Sequence, residues 1–513
     1  MKDVYLGIDV GSSNCKAIAI NGELETIETN YVRYEGTIIY TGYGKYDQSE
    51  QVLKNAGMEC IKKLTEKMGP DYRVVALGFT GQMHGLVALD NNLETIRPVI
   101  SCVDFRNEKQ IDAIYAKVGG KAGLLRFTNN KMVPSCTSGK ILWMMENEPE
   151  LFTHVRTVVN PKDFLRMVLT GVAATDESDA SGYGVYDVKN HSWNKELLKL
   201  IGIPESILPQ VYFSDQIVGK VLPEIAEYLG IDKDALVVAG GGDAIMQTLG
   251  TGAVDEGIYS IILGTGGLIS TSLKTFKKNE DAKLQIYCSG IRNQWVAYAG
   301  LMSVGASVDW FKNNLYQAKA QQSPTDVYIQ MEKEAATVAS GCDGLVFYPT
   351  LMGQRNPVDD PFAKGIMIGL KPVHTKKHMY RSLLEGITLG MRDVCVQLEH
   401  VGGPVKRIHI SGGGAHSSFW CQIFADVFQT QVCRVRNYSV CGALSVAILA
   451  FNAMNHFDET ENMYRNVQIE SVFEPNPDKK ALYDDLYDIY KKIYATSKAF
   501  FVDLKQFEEK YKN

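Results

Sequence analysis

Short apolar runs that close on glycine alternate along this chain with longer segments whose apolar positions recur every three or four residues. That is the grammar of buried strands feeding helices in an α/β protein. Val4–Ile20 predicts a strand, a tight turn and a returning strand, and a polar, tyrosine-rich stretch follows from Tyr31 to Tyr46. The spacing predicts a helix over Gln51–Lys67, with Val52, Leu53, Ala56, Ile61 and Leu64 on one side, and then RVVALGFTG as an inner strand. KILWMMENEP reads as a helix stopped at Pro149, and HVRTVVNPKDFLRMVLTG as a strand leading into a helix that ends near Gly171. LVVAGGGD is again a strand running into glycines, with AIMQTLGTGAV helical after it. The later half predicts a strand at WVAYAG, a helix around Ser307–Asn314, a long helix over Lys377–His400, and a strand, glycine turn and helix in VKRIHISGGGAHSSFWCQIFADVF. The charged tail, Asp478–Tyr511, carries Tyr483, Leu486, Tyr487 and Tyr490 at helical spacing and predicts a covering helix.

Two of these segments are the same device. GIDVGSS at Gly7–Ser13 and ILGTGG at Ile262–Gly267 each end an apolar run in small residues and return as another. Glycine admits backbone angles closed to other residues, and the lack of bulk lets N–H groups and a hydroxyl approach an anion such as phosphate. Asp9 stands just before the first turn, where a carboxylate can hold a metal ion beside a phosphate chain. Two phosphate-sized hairpins predict a polyphosphate ligand.

At 513 residues the chain is too long for one core, and the run of strand, three glycines and helix before the second hairpin places a domain boundary near 245–255. The predicted domains are 1–247, with the first phosphate loop, and 248–513, with the second. A net charge of -6 supplies no basic field for nucleic acid, so an anion must be bound by local geometry. The start, MKDVYLGIDV, enters a strand directly and no apolar run reaches membrane-spanning length; the expectation is a cytoplasmic protein with no membrane partner. Ten cysteines without a CxxC pair or zinc spacing predict reduced, mostly buried thiols. There is no GxSxG elbow, no HExxH, no P-loop and no GxGxxG at a strand-to-helix turn; SCTSGK at Ser135–Lys140 lacks the leading glycine.

GIDVGSSNCKAIAI, TGQMHG, NPKDFLRMVLTGVAATDESDASG, AGGGD, LGTGG and SGGGAHSSFWCQIFADVF, in this order, resemble the FGGY carbohydrate kinases, and TGQMHG is similar to the xylulokinase branch. The resemblance implies the two-domain actin, Hsp70 and sugar kinase fold of ribonuclease H type, with ATP and sugar meeting in a central cleft. It implies a transferase of carbohydrate metabolism that uses ATP and Mg²⁺ to phosphorylate a terminal hydroxyl of a ketose, D-xylulose first. Another ketose or polyol (ribulose, sedoheptulose, a glycerol-like substrate) is the alternative, and a non-catalytic actin-like or Hsp70-like ATP-binding protein the more distant one. A homodimer is open to it.

Phosphoryl transfer needs the acceptor hydroxyl in line with the γ-phosphorus and a place for its proton. The resemblance assigns that base to Asp243, at the end of AGGGD, which also faces the sugar and the metal; a helix cap is its plainer reading. Asp9 matches the aspartate that approaches Mg²⁺, through water. Gly11, Ser12, Ser13 and Lys16 would hold part of the triphosphate, Gly264, Thr265 and Gly266 another part, and Gly413, Gly414 and Ser417 the adenosine. Gln82, Met83 and His84 would meet the sugar. Asp104, with Arg106, either touches the sugar or forms an internal salt bridge that shapes its pocket. Departures fall on the sugar side: Gln354 and Asn356 stand where many relatives carry Glu and Thr, and Cys102 where an aromatic residue is common.

Overall fold

A computed structural model describes residues 1–34, 38–316, 323–455 and 460–511. Of the second predicted domain, 317–322, 456–459 and 512–513 lie outside the described residues. The chain divides into two units. The first comprises Met1–Val254, Ser272–Ala297 and Val440–Val467; the second comprises Asp255–Thr271, Tyr298–Ser439 and Gln468–Asn513.

In the first unit the apolar runs pair into one sheet, ordered Ile217–Lys220, Leu236–Val238, Tyr72–Gly81, Lys2–Val10, Asn14–Ile20 and Thr26–Arg33. Lys2–Val10 pairs antiparallel with Asn14–Ile20 and parallel with Tyr72–Gly81, so it lies in the interior of the sheet, as its nearly unbroken burial requires. One face is covered by the helices Glu50–Met68 and Pro161–Thr170, whose apolar sides join the strands in a single core through Leu53, Ile61, Leu64, Leu165 and Leu169. Ser49 caps the first of these helices by accepting from Val52 N, and Gly171 ends the second in the left-handed conformation.

Within the second unit the same order recurs. Ile258–Leu263 pairs antiparallel with Gly267–Leu273 and parallel with Arg407–Ser411, and the sheet continues through Gln431–Val435 to Ile469–Phe473. The long helix Lys376–Gly402 and the terminal helix Lys480–Tyr511 lie in this unit, and Tyr483, Leu486, Tyr487 and Tyr490 of the latter are buried, as the helical spacing predicts. All ten cysteines are free, and only Cys102 is not fully buried. Among the described residues, no helix is long and apolar enough to cross a membrane.

Candidate functional site

In the first unit, three strand ends meet. Asp9 is the last residue but one of the strand Lys2–Val10 and lies level with Lys16 on the returning strand and Thr80 on its other neighbour. Gly241 and Gly242 pair with Thr80 and Gly81, which brings Asp243 to the same edge as the first residue of the helix Asp243–Gly250. Each glycine of AGGGD has a steric reason. Gly240 has φ +75°, and a Cβ there would meet Phe79 O at 1.8 Å; at Gly242 it would meet the Met83 side chain at 2.6 Å.

Asp243 Oδ1 accepts from Ala244 N at 2.8 Å, while Gly242 is the residue at the cap position, so the aspartate is not the helix cap. Burial and the charge of Asp9 push the Asp243 carboxyl up to about 7. Burial also raises the Asp9 carboxyl, against the opposing charge of Lys16. Two carboxylates near enough to raise one of them, with a lysine beside them, form a hard-oxygen set suited to Mg²⁺.

The first hairpin turn is held from within. Gly11 N donates to Asn14 O at 2.9 Å, and Tyr34 OH bonds to Gly11 O and Asn14 O. Ser12 O accepts from Gln48 Nε2 at 3.2 Å, and Gln48 Oε1 in turn accepts from Gln82 Nε2 at 2.7 Å. Gln82 Oε1 accepts from Cys102 Sγ at 3.4 Å. The Gln82 amide is buried and, through Gln48, ties the first hairpin to the strand end. Asp104 is likewise engaged: it accepts from Tyr46 N, Arg106 N and Arg106 Nε, and Arg106 also bridges to Asp47. Asp104 and Arg106 thus form an internal salt bridge, one of the two arrangements the sequence left open.

His84 is different. Its φ is +70°, uncommon outside glycine. Nδ1 donates to Gly182 O at 2.9 Å, which fixes the orientation of the ring. The His84 carbonyl accepts from Lys140 Nζ at 2.8 Å and from Thr137 Oγ1 at 3.3 Å. Lys140 has no solvent exposure, and burial lowers its pKa to about 8. In the sequence Lys140 only ends SCTSGK, and nothing local marks its contact with a carbonyl 56 residues away.

The second unit assembles a cavity. The left-handed Gly412, φ +85°, brings the following glycines against Leu263, the last residue before Gly264; a Cβ on Gly412 would meet Leu263 O at 2.7 Å. Gly264, Thr265, Gly413, Gly414 and Ser417 then line one cavity of about 760 Å³, together with Tyr328, Glu332, Tyr380 and Trp420. This is within the size range of small-molecule pockets. Tyr328, Glu332 and Tyr380 come from segments that no motif marks, whereas Trp420 lies in SGGGAHSSFWCQIFADVF. Gly264 O and Thr265 O accept from Gly305 N and Val304 N and so cap the helix Gly305–Leu315. Gly11, Gly264 and Gly266 are absent from the positive-φ positions, contrary to the unusual backbone angles expected there. Space is what matters: a Cβ on Gly266 would come to 3.1 Å from Leu301 O.

Residues 4–250 match the model of the FGGY family of carbohydrate kinases, N-terminal domain, and residues 259–454 that of its C-terminal domain. A xylulose kinase of Staphylococcus epidermidis is 30% identical over 98% of this chain and 99% of its own. Among solved structures, a ligand-bound xylulose kinase from Lactobacillus acidophilus superposes with a TM-score of 0.88 at 25% identity, covering 98% of this chain and all of that one. A gluconate kinase from the same organism gives 0.89 at 25% identity, with the same shares covered.

Proposed function

This chain belongs to the FGGY family of carbohydrate kinases, and on that premise we propose that it transfers the γ-phosphoryl group of ATP to the terminal primary hydroxyl of a ketose, D-xylulose, giving D-xylulose 5-phosphate. The observation that carries the chemistry is the placement of Asp243, which the pairing of Gly241 and Gly242 with Thr80 and Gly81 brings to the strand edge that holds Asp9. A base poised near neutrality orients the hydroxyl and takes its proton as the oxygen bonds to phosphorus and the bond to the β-phosphate breaks, releasing ADP. Asp9, through water, and Asp243 would hold Mg²⁺, which neutralises charge on the phosphates. Lys16 adds a point charge for the triphosphate, Gly11, Ser12 and Ser13 one cradle, and Gly264, Thr265 and Gly266 another.

For the sugar, Met83 supplies an apolar wall and the His84 ring a hydrogen-bonding group. Gln82 and Asp104, whose polar atoms are already engaged, fix the shape of that wall. Adenosine is assigned to the cavity of Gly413, Gly414 and Ser417. We assign the protein to the cytoplasm.

Sugar-dependent ADP release, measured against D-xylulose, D-ribulose, sedoheptulose, glycerol and gluconate, tests the reading. D-xylulose should give the highest kcat/KM. Asp243→Asn should lower kcat by at least about 10²-fold while nucleotide binding persists. A higher kcat/KM for gluconate, or turnover retained in the variant, would overturn the substrate or the base respectively.

A further inference from the structure

Beneath Asp243 lies an ionic cluster for which the proposed chemistry has no use. Lys162, Asp163, Arg166, Asp176 and Asp179 all have side chains without solvent exposure. Lys162 Nζ pairs with Asp163, with Asp176 Oδ2 at 2.7 Å and with Asp179 Oδ2 at 3.1 Å; Arg166 pairs with Asp163 Oδ1 at 3.0 Å. Three carboxylates face two cations. Burial raises the Asp179 carboxyl well above its usual range, which favours a proton there and a cluster of zero net charge. Placing five ionisable groups out of water is a poor way to gain stability, since apolar side chains of equal volume often do as well. Their geometry has a different consequence.

The cluster's bonds lead to Ala239 and Gly242, in the segment that precedes Asp243. Arg166 Nη1 donates to Ala239 O at 2.5 Å. Asp176 Oδ1 accepts from the Ser178 hydroxyl, from Ser178 N at 2.8 Å and from Asp179 N at 3.2 Å, and so caps the helix Glu177–Gly182. The Ser178 hydroxyl, its proton committed to Asp176, accepts from Gly242 N at 2.9 Å. Gly242 immediately precedes Asp243. At the far end of the same short helix Gly182 O receives His84 Nδ1. Six residues of chain, anchored on the ion cluster, therefore hold both the strand end of the proposed base and the proposed sugar histidine. Space is tight around that hydroxyl: a Cβ on Gly241 would lie 2.9 Å from Ser178 Oγ.

We infer that Ser178, locked by the buried Lys162, Asp163, Arg166, Asp176 and Asp179 cluster, is a positioning residue that sets the backbone of Gly242 and thereby the aim of Asp243. The inference rests on the reading of Asp243 as the base. Removing the hydroxyl leaves a buried N–H without its acceptor and frees the peptide next to the reacting group, where a displacement on the order of 1 Å costs about 10²-fold in rate.

The test is a series at Ser178 in the full chain, with active sites counted by nucleotide-binding stoichiometry. Ser178→Ala should lower kcat per site roughly ten- to a hundredfold, with the KM for ATP unchanged. Ser178→Thr, which restores the hydroxyl, should recover much of the loss. Ser178→Cys keeps the volume but is a poor acceptor; it should lose kcat as the alanine variant does, and it carries the test if that variant does not fold. Wild-type kcat per site in Ser178→Ala or Ser178→Cys, or losses that only track the folded fraction, would overturn the inference while Asp243→Asn stays inactive. Turnover retained in Asp243→Asn overturns the reading of the base, and this inference with it.

Discussion

His84 and Lys140 form one arrangement in which a costly group is placed to hold a strained one. A non-glycine residue at φ +70° costs about 1–3 kcal/mol unless its surroundings enforce it, and here Lys140 and Thr137 hold the carbonyl while Gly182 holds the ring. Lys140 in turn is buried, and burial lowers it from 10.5 to about 8. Between those two pH values the unfolded chain binds a proton that the folded chain has released, so stability rises with pH across this window. The gain is complete above 10.5 and is lost as pH falls through about 8. Its slope is at most about 1.4 kcal/mol per pH unit. Lys140→Met removes this term. Urea unfolding of both proteins at pH 7.5 and 9.5 should therefore show the difference in stability shifting in favour of the parent at the higher pH. A difference that does not change with pH would mean that Lys140 is charged throughout.

At the scale of elements, the helix Cys441–Asn455 shows how the first unit brings its strand ends together. Gly7 and Gly78 are register partners on adjacent parallel strands, and a Cβ would lie 1.8 Å from Ala443 O on the first and 2.3 Å from Val446 O on the second. Bare backbone on two neighbouring strands lets the helix approach closely, so its first turn sets Gly442 against Asp9, whose Oδ2 would be 3.4 Å from a Cβ there. Gly78→Ala forces helix and sheet apart and should cost about 1–3 kcal/mol, lowering the melting temperature by several degrees. Gly22→Ala, where a Cβ meets nothing within 4 Å, should leave it unchanged. Equal melting temperatures in the two variants would show that the sheet yields without cost.

The strands and long helices were legible because their burial is written in local periodicity: the helix expected over Lys377–His400 spans Lys376–Gly402, and that over Gln51–Lys67 spans Glu50–Met68. The assignment of Ser272–Ala297 and Val440–Val467 to the first unit was not, because periodicity describes an element and not its neighbours. Lys140 and Ser178 were hidden for a related reason. Each acts on a backbone atom 56 or 64 residues away.

Over the whole molecule the proposed sites divide by unit. Asp9, Met83, His84 and Asp243 belong to the first; Gly264, Thr265, Gly413, Gly414 and Ser417 to the second. A ligand slows hydrogen exchange most where local opening breaks its own contacts, and at a concentration of 100 Kd the stabilisation is about 2.7 kcal/mol, or roughly a hundredfold in exchange rate. Exchange mapped by mass spectrometry should separate the two substrates. D-xylulose alone should protect peptides covering Gly81–Gly85 and Gly240–Ala244. Adenosine, which has no phosphates for the hairpin at Gly11, should protect those covering Leu263–Gly266 and Gly412–Trp420. If that turn holds phosphate, as proposed, ADP should add protection at Val10–Asn14. If adenosine alone protected Val10–Asn14, that hairpin would belong to the nucleoside and the assignment of its glycine and serines to phosphate would be wrong. If D-xylulose protected Gly412–Trp420 instead of Gly81–Gly85, the sugar would lie in the cavity assigned to adenosine, and Asp243 would lose its acceptor.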